Sequence, residues 1–241
     1  MDGNEASSAF TSDICGGIAS RSLAPARMMR VLLGAIVAVS LFAAPAQAQR
    51  VTFAEAPING VPKDFTTALT GEGKPGKWAV LEDASAEGKR VLAQLDPDPT
   101  DYRFPLAIYG PAFPRDVEVT TRFKAISGKV DQAGGLAVRV IDHNNYYLVR
   151  ANALEDNVHF YRVVRGEREQ LAGADTKVAS GVWHTLTLRA EGSRLSVSLN
   201  GKLLFTHTDR TFDAPGKVAL WTKADSVTHF DWIEINPLKE K

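Results

Sequence analysis

Cleaving a glycosidic bond usually takes two carboxyl groups at a fixed separation, one donating a proton and one acting as nucleophile or base. Asp116-Val117-Glu118 would put two acids on one strand face, but Thr121 stands where a third would extend the pattern. Glu155 and Asp156 are adjacent. On a strand they would point apart, and beside Asn157 they read as a turn. Asp96-Pro97-Asp98-Pro99-Thr100-Asp101 collects carboxylates in a loop. Calcium favours such ligands, although the prolines alone account for a rigid surface turn. The histidines His143, His159, His184, His207 and His229 form no H-x-H or H-E-x-x-H pair, so a transition-metal site has no local support. There is no serine nucleophile elbow and no phosphate loop. Apart from calcium at Asp96, Asp98 and Asp101, no cofactor is expected.

Binding chemistry has a clearer candidate. If Asp142-His143-Asn144-Asn145 closes a four-residue hairpin loop, Ile141 faces Tyr146, Arg139 faces Leu148 and Ala137 faces Arg150. One face then carries Leu136, Val138, Val140, Tyr147, Val149 and Ala151, and must be the core side. The other carries Arg139, Ile141, Tyr146, Leu148 and Arg150. Aromatic rings beside placed polar groups suit the C–H faces and hydroxyl rims of sugars. A solvated outer face, with arginine stems covering aliphatic neighbours, has the same pattern. His159 and Tyr161 share one side of the next strand.

These residues need strands to hold them. From Trp78 onward apolar and polar residues alternate at period two between short turn signals, the signature of an antiparallel sandwich or barrel. The pattern predicts strands over 116–126, 134–141, 146–151, 158–164, 184–190 and 227–235, among others. Asn200-Gly201 predicts a type I′ hairpin turn and Arg165-Gly166 a second tight turn. No stretch after residue 48 has a helical period. More than ten short strands imply a single all-β domain, a two-sheet antiparallel jelly-roll sandwich, over 49–241 with its core at 78–236.

The N-terminal part reads differently. Arg27 and Arg30 precede the uncharged apolar run 31–44, and Ala46-Gln47-Ala48 follows it. These are the three parts of a cleavable signal peptide, over 28–48 with a cut after Ala48. The run is shorter than a membrane span. Residues 1–27 read as a mis-assigned start or disordered extension, with translation beginning at Met28 or Met29. A periplasmic or extracellular location follows, with no membrane insertion after cleavage. The one cysteine, Cys15, precedes the cut, so the domain relies on core packing alone. The chain has 28 basic and 28 acidic residues, a balance that argues against a nucleic-acid partner.

The segments Asp131 to Arg139 and Asn145 to Asn157, with Tyr161-Arg162-Val163-Val164, Trp183-His184, Asn200-Gly201-Lys202 and Leu220 to Ser226, resemble the bacterial laminin-G/concanavalin-A-like sandwich proteins. They resemble in particular the group carrying the 3-keto-disaccharide hydrolase domain. The resemblance implies a concanavalin A-like jelly roll with a carbohydrate ligand on one sheet face. It draws in Trp221, Lys223 and Asp225 at a strand end where the family's loops gather; a core tryptophan followed by a polar turn is the alternative. Candidate binding residues are thus Arg139, Tyr146, Arg150, Tyr161, Trp221 and Lys223. Glycosidases on this fold often carry Glu-x-Asp-x-x-Glu on one strand, and that pattern is missing here. An exported, non-catalytic carbohydrate-binding protein is therefore expected. The alternative is a hydrolase of 3-keto-disaccharides or related glycosides, with Glu155, Asp156, His159 and Asp225 as candidate catalytic residues. A structural envelope protein without a small ligand is the third reading.

Overall fold

The computed structural model describes residues 47–239. The Met28 start, Cys15 and the signal peptide as far as residue 46 lie outside those residues. The described chain forms strands and turns with no helix. The strands are β1 (Gln49–Thr52), β2 (Phe65–Gly71), β3 (Trp78–Glu82), β4 (Arg90–Gln94), β5 (Arg103–Phe113), β6 (Val117–Ser127), β7 (Ala133–Asp142) and β8 (Asn145–Asn152). They continue as β9 (Asn157–Val164), β10 (Glu167–Asp175), β11 (His184–Glu191), β12 (Arg194–Leu199), β13 (Lys202–Thr208), β14 (Gly216–Trp221) and β15 (Val227–Pro237).

Two antiparallel sheets result. The eight-stranded sheet runs β13-β12-β11-β6-β15-β4-β3, with β1 also paired to β15. The seven-stranded sheet runs β10-β9-β8-β7-β14-β5-β2. Alternation explains how they stack. In β6, Val117, Val119, Thr121, Phe123 and Ala125 are buried, while Glu118, Thr120, Arg122 and Lys124 reach outward. The inward rows of both sheets, including Leu136, Val149, Phe160, Leu188 and Phe230, form one core. Gly134 sits where a Cβ would lie 2.4 Å from the Phe123 ring of the opposite sheet. Asn200-Gly201 and Arg165-Gly166 adopt the two consecutive positive φ angles expected of type I′ turns.

The sandwich starts earlier than Trp78. Strands β1 and β2 join it, and Phe53 and Phe65 enter the core. Their pattern was hard to read: β1 has four residues, and β2 buries only Phe65 and Thr70.

The β7–β8 hairpin also departs from expectation. Asp142 pairs with Asn145, so the loop has two residues, and a bulge separates that pair from Val138–Tyr147. Gly135, rather than Ala137, then faces Arg150. Arg139 takes φ 51° in the bulge. A one-residue shift exchanges the two faces. Val140 accordingly lies with Tyr146 and Leu148 on the outward side. Arg139 instead lies over the ring of the core residue Tyr147, at 6.0 Å.

The seven-stranded sheet curls toward its outward face. Strands β10 and β5 stand five positions apart, about 24 Å on a flat sheet. Yet the guanidinium of Arg168 on β10 lies 4.6 Å from the Phe104 ring on β5. Tyr102 Oη donates to Gly166 O at 3.0 Å, and Thr70 Oγ1 bonds His143 O, again linking distant strands. Phe104, Leu106, Ala137, Tyr146, Leu148, Val163 and Trp221 pack into a second apolar cluster on this face.

Candidate functional site

At one end the outward face of the curled sheet turns polar, because register brings its polar residues into line. Gly135, Arg150 and His159 are neighbours across β7, β8 and β9, and Ala133, Asn152 and Asn157 form the next row. Gly135 has no side chain, so Arg150 packs close to β7; a Cβ there would lie 2.6 Å from Val149 O. Gly173 opens the other flank, where a Cβ would lie 2.4 Å from His159 Cδ2.

Arg150 is only 4% exposed. Its Nη1 donates to Asn157 Oδ1 at 2.9 Å and its Nη2 to Glu155 Oε2 at 2.8 Å. Asn157 Nδ2 also donates to Glu155, at 3.0 Å. Nδ1 of His159 lies 3.1 Å from Tyr161 Oη and 3.4 Å from Arg150 Nη2. Burial and the Arg150 charge hold His159 below the ordinary histidine range, so it is neutral at pH 7. Burial works against the Glu155 carboxylate, but Arg150 outweighs it and keeps Glu155 ionised.

Lys223 centres a second network, close enough for its charge to act on Glu155. Its Nζ lies 2.5 Å from Asp131 Oδ2 and 2.6 Å from Asp101 Oδ1. Asp131 Oδ1 accepts a bond from Asn152 Nδ2 at 2.5 Å. Burial opposes the Lys223 charge, yet the two carboxylates leave its pKa above the usual lysine value. Burial pushes the Asp131 carboxyl up against the pull of Lys223. Asp225 anchors the loop that carries Asp131. Its carboxylate accepts the backbone N–H groups of Lys129, Val130 and Asp131 at 2.6 to 3.1 Å, a nest of amides around an anion. Asp225 also lines a surface cleft of about 500 Å³ with Pro97, Pro99 and Ser127.

The structure thus brings together Arg150, Tyr161, His159, Glu155 and Lys223, with Asp225 as a support behind them. Other candidates lie elsewhere or are closed off. Arg139 is held far along the strand by three carbonyls, of Arg115 (3.0 Å), Phe212 (2.7 Å) and Gly192 (2.6 Å), and does not join Tyr146 and Arg150. Tyr146 and Trp221 are fully buried. Trp221 stacks on Phe104 at 5.3 Å, and Tyr146 Oη bonds Thr70 Oγ1 at 2.8 Å. Their rings fill the curled sheet rather than offering a sugar platform. Asp156 turns outward to Lys177 Nζ and Val178 N.

The loop carboxylates do not converge. Asp96 bonds Arg103, Asp98 accepts from Thr100 and Lys74 N, and Asp101 takes Lys223. Among the described residues no group of His, Cys, Asp or Glu is placed to hold a metal ion. Asp116 is buried against Arg115 and Gly192 N, whereas Glu118 pairs with Arg189, so this pair shares no site. Sequence reasoning missed Asp131, Asn152, Asn157 and Arg168. The first three carry a signal only once the β7–β8–β9 register is known. Arg168 could be found from the alternation of β10, which sets it beside Val163.

This architecture is that of a lectin-type jelly roll. Residues 115–238, more than half of the chain, match the family model described as galactocerebrosidase, C-terminal lectin domain. The chain belongs to that family. No curated protein matches it. Among solved structures, carbohydrate binding module CBM66 from Bacillus subtilis is 20% identical with a TM-score of 0.56, over 70% of this chain and 94% of that one. A Bacillus subtilis protein with a galectin-like fold is 12% identical with a TM-score of 0.57, over 81% and 98%. A Bacillus licheniformis β-glucanase is 13% identical with a TM-score of 0.54, over 81% and 100%. The fold is therefore the concanavalin A-like, two-sheet jelly roll. The match to the finer 3-keto-disaccharide hydrolase group is not among these findings.

Proposed function

We propose that the chain is an exported, non-catalytic carbohydrate-binding domain that takes its ligand at the polar end of the curled sheet. One observation carries this reading. Arg150, Asn157, His159, Tyr161 and Glu155 form a hydrogen-bonded set that runs from buried Arg150 to exposed Glu155, with Lys223 held nearby by Asp101 and Asp131. A preorganised set of donors and acceptors on rigid strands suits sugar hydroxyls. Membership of a lectin-domain family supports the same ligand class. The basic, apolar and Ala-x-Ala segments at 27–48 support export to the periplasm or beyond. The test is a glycan array followed by calorimetry on the domain from Gln49 onward. A sugar should bind and EDTA should leave its affinity unchanged, while Arg150→Gln weakens it about tenfold or more, the scale of one charged hydrogen bond. No binding at millimolar sugar would refute the reading.

A second reading is hydrolysis of 3-keto-disaccharides or related glycosides. Burial pushes the Asp131 carboxyl up while Arg150 holds Glu155 down, which is how an acid and a carboxylate are set apart in one site. Release of a free 3-keto sugar, abolished by Asp131→Asn, would establish it. Unchanged substrate after prolonged incubation would dismiss it.

A further inference from the structure

We infer that the saccharide bound here carries a carboxylate, received jointly by the guanidinium groups of Arg150 and Arg168; this rests on the carbohydrate reading above. Both guanidinium groups lie over one ring, that of Tyr161, at 5.8 Å for Arg150 and 4.5 Å for Arg168. Phe104 covers the other side of Arg168 at 4.6 Å. Ring faces attract a cation but accept no strong hydrogen bond. Two buried donors are left without a partner, Arg150 Nε and Arg168 Nη1. Buried N–H groups of charged side chains are normally bonded, so this pair of donors calls for an acceptor from outside the chain.

Charge pairing points to an anion. Glu155 pairs with Arg150, and Asp101 and Asp131 pair with Lys223. Among the described residues no ion pair joins Arg168 to a carboxylate, so its own charge stands unpaired beside the two open donors. A single planar carboxylate supplies two acceptor oxygens in the geometry that guanidinium groups favour. A neutral hydroxyl would satisfy one donor and leave the charge. The site opens at the sheet edge: Arg168 is half-buried and springs from the edge strand β10, and Glu155 beside the site is exposed. A sugar acid is the ligand class that combines this carboxylate with hydroxyls for Asn157, His159 and Lys223.

Calorimetry with tri-galacturonate, its methyl ester, neutral galactotriose and sodium sulfate tests the inference. The acid should bind at least about tenfold tighter than its ester, one charge-assisted contact in scale. That preference should vanish in Arg168→Gln and return in part in Arg168→Lys, with thermal melts showing that both variants fold. If the ester or the neutral sugar binds as well as the acid, the carboxylate inference fails and the carbohydrate reading stands. If sulfate alone binds as tightly as the acid, the ligand is an anion rather than a sugar acid, and the inference fails. If none of the saccharides binds, both fail.

Discussion

Arg139 offers a sharp test of how the sheet bulge sorts structure from site. Its guanidinium is buried and donates to the carbonyls of Arg115, Phe212 and Gly192 at 2.6 to 3.0 Å, with Asp116 at 3.7 Å. Arg139→Met keeps the apolar stem and removes the charge and all three donors. Asp116 retains Arg115 and Gly192 N, so the loss falls mainly on the three carbonyls. Removing one side of a buried charged cluster costs about 3–5 kcal/mol. Each carbonyl that finds no water would contribute about 1–3 kcal/mol, and local relaxation keeps the total near the first range. In a domain of this size, 1 kcal/mol moves the melting temperature by about 2–4 °C, so a drop of roughly 10 °C is expected. Urea unfolding and thermal melts read the change. Saccharide affinity, measured well below the melt, should stay within about twofold. A loss under about 1 kcal/mol would refute the structural role, and a collapse of affinity in the folded variant would return Arg139 to the site.

Gly134→Ala should destabilise by about 1–3 kcal/mol, because the new methyl meets Phe123 inside the core; wild-type stability in urea would contradict the packing. Gly201→Ala meets nothing within 4 Å but keeps φ near 77°, so a loss of about 1–2 kcal/mol isolates backbone strain from crowding. Stability should also fall as pH drops from 7 toward 5. Burial holds His159 and His229 below the usual histidine value, in His229 despite its bond to Asp83. Below about 6.5 the unfolded chain takes up protons that the native state refuses. Urea midpoints that stay level or rise over that interval would count against these environments.

Much of the fold could be read from period-two alternation and turn chemistry. The strands from Trp78 onward and the turns Asn200-Gly201 and Arg165-Gly166 follow from local pattern alone. Strands β1 and β2 could not be read, because one is short and the other buries few side chains. The site was legible in part. Arg150, Tyr161, His159, Glu155 and Lys223 converge, yet Arg139, Tyr146 and Trp221 drop out for two physical reasons. A bulge with positive φ at Arg139 exchanges the faces of the strand, and nothing in the residue types around it announces the bulge. The curl of the seven-stranded sheet buries rings that a flat sheet would expose, and it depends on long-range contacts such as Tyr102 with Gly166. Arg168 and Phe104 meet only because of that curl.

Saccharide binding at the polar end of the curled sheet can be located residue by residue. A two-dimensional amide NMR titration of the isotope-labelled domain with tri-galacturonate tests it most directly. Saturable shifts are expected, confined to the strand ends and loops around Arg150, Asn152, Glu155, Asn157, His159, Arg168 and Lys223. Shifts centred instead on the cleft of Arg115, Arg189 and Arg194, or no shifts at millimolar ligand, would contradict it.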